Sequence, residues 1–260
     1  MTTQPDLRLP NTKNTRSGSI KQKIIFSAVF IVLTGLVIVL SQLIVALVFK
    51  FFFQDKIYQT PYMAALQASS YLLALLFLII LPHFFVQKFN KLATNSFRKN
   101  FKTSLEETGL QNLPTWTDIG LAPVAFIAYA FTSSFIVKFL SNFAWFDANQ
   151  AQNVGFSALF STNDRIIAFI ALAIIAPIAE EIIFRGWLYG KLRSKLHFLP
   201  AIFIVSALFG FLHGQPNVGV DVFVMSLFVC SQREITGTIY SGILLHIIKN
   251  SLAFFILFQS

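Results

Sequence analysis

Cysteine is almost absent: Cys230 is the only one in 260 residues. That excludes a disulfide framework and a cysteine cage for a metal, and a lone thiol inside an apolar run reads as a small packing residue rather than a nucleophile. Charge is scarce too. Asp, Glu, Lys and Arg make up 12% of the chain, against about a quarter in an ordinary soluble domain. There is no internal repeat, no sustained heptad pattern and no low-complexity linker, so solenoids and coiled coils drop out and one domain is expected.

What fills the space is apolar. Hydrophobic residues are 55% of the chain, with 31 Phe among them, and mean hydropathy is +0.68. One soluble core of this length cannot hide that much, so most of it must face lipid. A spanning helix needs roughly 17–25 apolar residues, and candidate runs fall at 24–49, 63–86, 119–138, 166–189, 199–213, 218–232 and 236–258. The fold class expected is all-α, a polytopic transmembrane bundle of about seven spans over 24–258. The fifth and sixth runs are short; a buried hairpin turning at Gly214-Gln215-Pro216-Asn217 is the alternative there. The run 24–49 is too long for a signal-peptide core, so it reads as a retained helix.

The net charge of +9 comes from 20 Lys and Arg against 11 Asp and Glu. These cations flank apolar runs without forming a basic patch with interleaved aromatics, which argues against nucleic acid as a partner and for the lipid bilayer. Residues 1–23 (Arg8, Lys13, Arg16, Lys21, Lys23) read as a disordered basic tail. The tail, loop 87–118 (Lys88, Lys91, Arg98, Lys99, Lys102) and loop 190–198 (Lys191, Arg193, Lys195) fall on one side when seven spans are threaded. The positive-inside rule makes that side cytoplasmic, N-terminus included. Loop 87–118 is expected to hold a short interfacial helix. With no organelle signal, the expected location is a bacterial plasma membrane.

Charges inside the spans are the exception that calls for a reason. Glu180, Glu181 and Arg185 lie within 166–189, just after Pro177, and each ionised group at mid-helix costs about 2.5–3.5 kcal/mol on insertion scales. Glu181 and Arg185 are spaced i,i+4 and pair on one face; Glu180 has no partner on its own helix. His213 ends one apolar run and His246 sits inside another, with Asn250 one turn on; His83 and His197 fall at interfaces. At 1.5 Å per residue, Glu181 is about 15 Å inward from Lys191, His246 about 18 Å inward from Glu234 and His213 about 20 Å inward from Pro200. Polar groups on separate helices thus converge near one depth. A carboxylate and imidazole beside one water make a general-base pair, and His246 with Asn250 supplies donors for an oxyanion. Glu180, His213 and His246 equally suit a three-ligand zinc site. No His-Glu-x-x-His helix occurs, and no Gly-x-Gly-Asp or Gly-x-Ser-x-Gly lies inside a span, against zincin, aspartyl and serine sites.

The ordered set Pro177-x-x-Glu180-Glu181-x-x-x-Arg185-Gly186, Phe209-x-x-x-His213 and His246-x-x-x-Asn250 resembles the CPBP family of intramembrane proteases, which includes CaaX prenyl endopeptidases and bacteriocin-processing or immunity proteins. The resemblance covers about 166–258, the expected protease core. It implies that Glu180 and His213 activate water, that His246 and Asn250 hold the oxyanion, and that Glu181 and Arg185 support them. It leaves both a zinc-dependent and a glutamate-dependent mechanism open. One departure is Cys230-Ser231-Gln232-Arg233-Glu234, where a glycine-containing small-residue stretch is expected. The implied activity is endopeptidase action on a membrane-associated peptide or protein, through a cavity opening toward the cytoplasm, with bacteriocin maturation or self-immunity as uses. A non-enzymatic immunity protein that sequesters a membrane-active peptide is the alternative.

Overall fold

The computed structural model of the protein describes residues 20–82, 105–150, 156 and 161–258. The tail before residue 20, His83, the cations Lys88 to Lys102 and most of the expected interfacial helix lie outside the described residues. Among those described, the chain is helical and has no strand, which bears out the all-α membrane bundle. We number the helices α1 (Ile20–Phe53), α2 (Thr60–Ile80), α3 (Leu105–Thr108), α4 (Trp116–Leu140), α5 (Thr162–Arg193), α6 (Phe198–Phe211), α7 (Pro216–Thr236) and α8 (Tyr240–Phe258).

Local chemistry sets the ends. Thr115 and Asp118 form a reciprocal capping box at the start of α4, and Ser161 with Asp164 does the same for α5, each satisfying amides that a first helical turn leaves free. Pro216 opens α7, and Gly237, at φ +74°, closes it in the left-handed region that suits glycine.

Five helices, α1, α2, α4, α5 and α8, are long and apolar enough to cross a membrane. Among the described residues each of the seven expected runs is mostly helical, yet α6 and α7 differ from the rest. With 14 residues, α6 is about 21 Å long, short of a hydrocarbon core of about 30 Å. The 21 residues of α7 reach further but include Asp221, Arg233 and Glu234. The two form an antiparallel hairpin at the short Gly214 turn. Their crossing is a backbone contact, since a Cβ on Gly210 would lie 2.6 Å from the Gly219 carbonyl oxygen, and one on Gly219 2.9 Å from that of Gly210. Small residues permit such close approach where lipid gives helices no hydrophobic reason to associate.

The outer surface fits lipid. Along α4, Val124, Ile127, Phe131 and Phe135 form an exposed stripe, while Ala122, Ala125, Tyr129 and Ser133 on the other face are buried. The inner faces of α1, α2, α5, α6, α7 and α8 meet around Phe30, Leu78, Trp187, Phe209, Met225 and Leu245, with Phe30 edge-on to Trp187 at 5.6 Å. Gly210→Ala should therefore lower thermal stability in detergent by about 1–3 kcal/mol, the usual cost of overpacking. Gly35→Ala, whose added Cβ meets nothing within 4 Å, should leave the unfolding transition in place; equal shifts for the two would disprove the close crossing.

Candidate active site

Helix α5 carries the acidic pair and is not a plain α-helix. The Ala176–Glu181 segment is flanked by wide, π-type turns at Ile170–Ile175 and Ile182–Leu188. The Ala176 amide donates to Ala171 O, five residues back. Leu172 O therefore loses its usual i+4 donor, and the next residue along, Pro177, has no N–H to replace it. Asn250 of α8 fills the gap, its Nδ2 donating to Leu172 O at 3.0 Å. The proline that ends regular bonding thus creates the anchor for Asn250, and it does so one and two turns above the acidic pair.

The carboxylates diverge from there. Glu181 is fully buried and its Oε1 meets Arg185 NH1 at 3.0 Å and His246 Nδ1 at 2.9 Å. Its Oε2 faces Gly242 of α8, where a Cβ would come within 3.2 Å. Glu180 is 14% exposed and faces the cavity described below; its Oε1 accepts a hydrogen bond from the Tyr71 hydroxyl of α2, and its Oε2 is 3.6 Å from His246 Nε2. One imidazole therefore sits between both acids. A polar chain runs from Tyr71 through Glu180, His246 and Glu181 to Arg185.

Phe209 of α6 is the apolar hub. The Arg185 guanidinium lies 4.4 Å over its ring, and Phe184, His213 and His246 pack against it at 4.8, 4.8 and 6.0 Å between centroids. Placing a cation on an aromatic face recovers part of its lost hydration. The Nδ1 of His213 lies 2.7 Å from Phe209 O. A carbonyl only accepts, so that nitrogen bears the proton and a neutral ring leaves Nε2 with a lone pair.

Glu180, His213, His246 and Asn250 line one cavity of about 340 Å³, together with Tyr71, Gln67, Gln42 and Lys249. The side chains singled out from the sequence are therefore brought together, while Glu181 and Arg185 lie behind the wall. On α5 the lining runs from Phe184 back to Leu172, and Trp187, Leu188 and Tyr189, further along the helix, are buried. The zinc reading meets a geometric test. Among the described residues no three His, Cys, Asp or Glu side chains gather closely enough to hold a metal ion, and the Glu180 oxygens face Tyr71 and His246 instead. The side chains as they stand do not fit a zinc site.

Several contributors carry no motif. Tyr71 and Gln67 belong to α2; their signal in the sequence is a Gln and a Tyr at i,i+4 inside an apolar run. Asp221 of α7 accepts from Tyr129 at 2.7 Å and Ser133 at 2.6 Å and lies 3.6 Å from Lys249, so Lys249 has a counter-charge at the cavity wall. His197, expected at an interface, occupies the N-cap position of α6 without a side-chain bond to the helix and is exposed. Cys230 is buried, as a packing residue would be.

The departure at 230–234 has a structural reason. Gln232 donates to Leu121 O at 3.3 Å, Arg233 to Glu107 O at 3.2 Å and to Gly237 O, and Glu234 takes Arg193 through both oxygens and Tyr189 at 2.6 Å. These polar residues fasten α7 to α4, α5 and the segment before α4. That segment lies on the Gly186-x-x-x-Gly190 face of α5, where a Cβ on Gly190 would fall 2.6 Å from Glu107 O. Glu107 also pairs with Lys191 at 3.0 Å.

Arg185→Met should destabilise the protein by about 3–5 kcal/mol, because it leaves the buried Glu181 without its cation. Replacing both, as Glu181→Leu with Arg185→Met, should recover part of the loss. Thermal unfolding of the two variants decides this, and an Arg185→Met protein as stable as the parent would refute the pairing.

Neither a curated protein nor a solved structure matches the chain. Residues 162–252 match the family described as type II CAAX prenyl endopeptidase, Rce1-like. That interval begins with α5 and ends inside α8, and it contains Glu180, Glu181, Arg185, His213, His246 and Asn250. About a third of the chain, the stretch that carries these six residues, is thus similar to the Rce1-like type II CAAX prenyl endopeptidase domain of the CPBP family.

Proposed function

We propose that the protein is an integral-membrane endopeptidase that hydrolyses a peptide bond of a membrane-associated peptide, using Glu180 as general base. The observation that carries this reading is the His246 imidazole held between two carboxylates, one facing the cavity and one buried on Arg185. The family match over the same residues supports it.

The chemistry follows from the atoms. An ionised Glu180, held by the Tyr71 hydroxyl, takes a proton from water as its oxygen attacks the substrate carbonyl. The Nε2 lone pair of His213 accepts the other water proton as a hydrogen bond. The new C–O bond places negative charge on the carbonyl oxygen. His246 Nε2–H and the Asn250 N–H not engaged by Leu172 donate to it. When the C–N bond breaks, Glu180 returns its proton to the leaving amine. Glu181 and Arg185 act at one remove, fixing the His246 ring and keeping its Nδ1 proton in place, as an outer carboxylate does for a working imidazole. No step requires a metal. Trimming of a small membrane-active peptide, as in bacteriocin maturation or self-immunity, is the use we favour.

The test is cleavage in proteoliposomes of a panel of membrane-anchored peptides, half bearing a prenylated C-terminal cysteine, read by mass spectrometry. Glu180→Gln should reduce kcat by about 10²–10⁴-fold. Tyr71→Phe should reduce it by about 10–100-fold, the value of a hydrogen bond to a charged group. Full activity in Glu180→Gln would end the role of Glu180 as base, and no cleavage of any peptide by the wild type would end the protease reading in favour of sequestration. In the same assay a chelator should leave the rate unchanged; loss on chelation with recovery on zinc would replace the metal-free mechanism.

A further inference from the structure

A second cavity of about 280 Å³ lies between α1 and α2 and shares Gln42, Gln67 and Tyr71 with the catalytic cavity. Its other walls are Ala46, Met63, Leu66, Ser70 and Phe156, so it is a slot with one apolar wall and two carboxamides on the side it shares with the catalytic cavity. None of these residues falls inside 162–252.

Gln67 makes the slot more than empty space. The Tyr71 hydroxyl gives its proton to Glu180, and the side-chain oxygen of Gln67, one turn before it on α2, is buried and has no hydrogen-bond partner. An unpaired buried acceptor is costly, and most costly where lipid rather than water surrounds the fold. An occupant that brings a donor removes the cost.

We infer that the α1–α2 slot is the subsite for the substrate residues next to the scissile bond, bound as an extended strand. This rests on the protease reading. An extended backbone presents an N–H to Gln67 Oε1 and a further N–H or C=O to the Gln42 carboxamide, and alternate side chains point into the apolar wall. From Tyr71 to Met63 is eight residues of helix, about 12 Å, which matches three to four residues of extended peptide at about 3.3 Å each. Met63 sits at the far end and limits the side chain admitted there.

Steady-state cleavage in proteoliposomes tests this with membrane-anchored peptides carrying Leu, Val, Ala or Gly at each of the four positions on either side of the cut. Met63→Trp should shift preference at one position by about tenfold from Leu toward Ala or Gly. Gln42→Leu, on α1 and outside the chain of bonds from Tyr71 to Arg185, should raise KM about tenfold with a much smaller effect on kcat. Gln67→Leu should raise KM as well, and its added effect on Tyr71 should appear in kcat. Wild-type cleavage with an unchanged preference profile in Met63→Trp and an unchanged KM in Gln42→Leu would overturn the subsite alone, and would favour a lipid chain as occupant. No cleavage of any peptide by the wild type would overturn the subsite together with the protease reading beneath it.

Discussion

Glu180 and Glu181 lie side by side in α5, where charge removed from water must find a partner. One helix cannot satisfy both, because neighbours in sequence point about 100° apart. The pair therefore recruits other helices. Glu181 draws in Arg185 from the next turn and His246 from α8, while Glu180 draws in Tyr71 from α2 and the far side of the same imidazole. Phe209 from α6 then covers the cation and spaces the two histidines. The packing of four helices follows from housing two acids.

The same demand separates the acids by environment. Glu181 is sealed, its charge spent on holding a guanidinium and a ring. Glu180 borders a cavity and can exchange a proton with what enters. Pro177 and the wide turns beside it sharpen the division. They free a carbonyl that Asn250 occupies, so the amide opposite Glu180 is held by a backbone irregularity rather than by chance packing. Irregular turns of this type often accompany function in helices, and here the reason is visible in a single unpaired oxygen.

Around that centre the bundle is fastened mostly at one end. Glu234, Arg193, Tyr189, Arg233 and Glu107 link α7, α5 and the segment before α4, and bulky side chains close the space between. The other end, where α1 joins α2 and α6 turns into α7, is where cavities form.

Much was legible from residue order alone. Apolar runs near the membrane length located the helices, and a cost argument over Glu180, Glu181 and Arg185 pointed to the site, with His213, His246 and Asn250 found by matching depths. Those readings work because insertion cost and helical rise are local properties. Tyr71 and Gln67 escaped notice, since a hydroxyl and an amide in an apolar run are cheap enough to pass as packing. The grouping of His246 with Glu181 rather than Glu180 alone, the misfit of a zinc triad and the backbone contact of α6 with α7 at Gly210 and Gly219 all depended on how helices rotate and cross. Sequence determined which residues lie at the same height; only the tertiary structure decided which of them face one another, because helix rotation is set by contacts between segments distant in the chain.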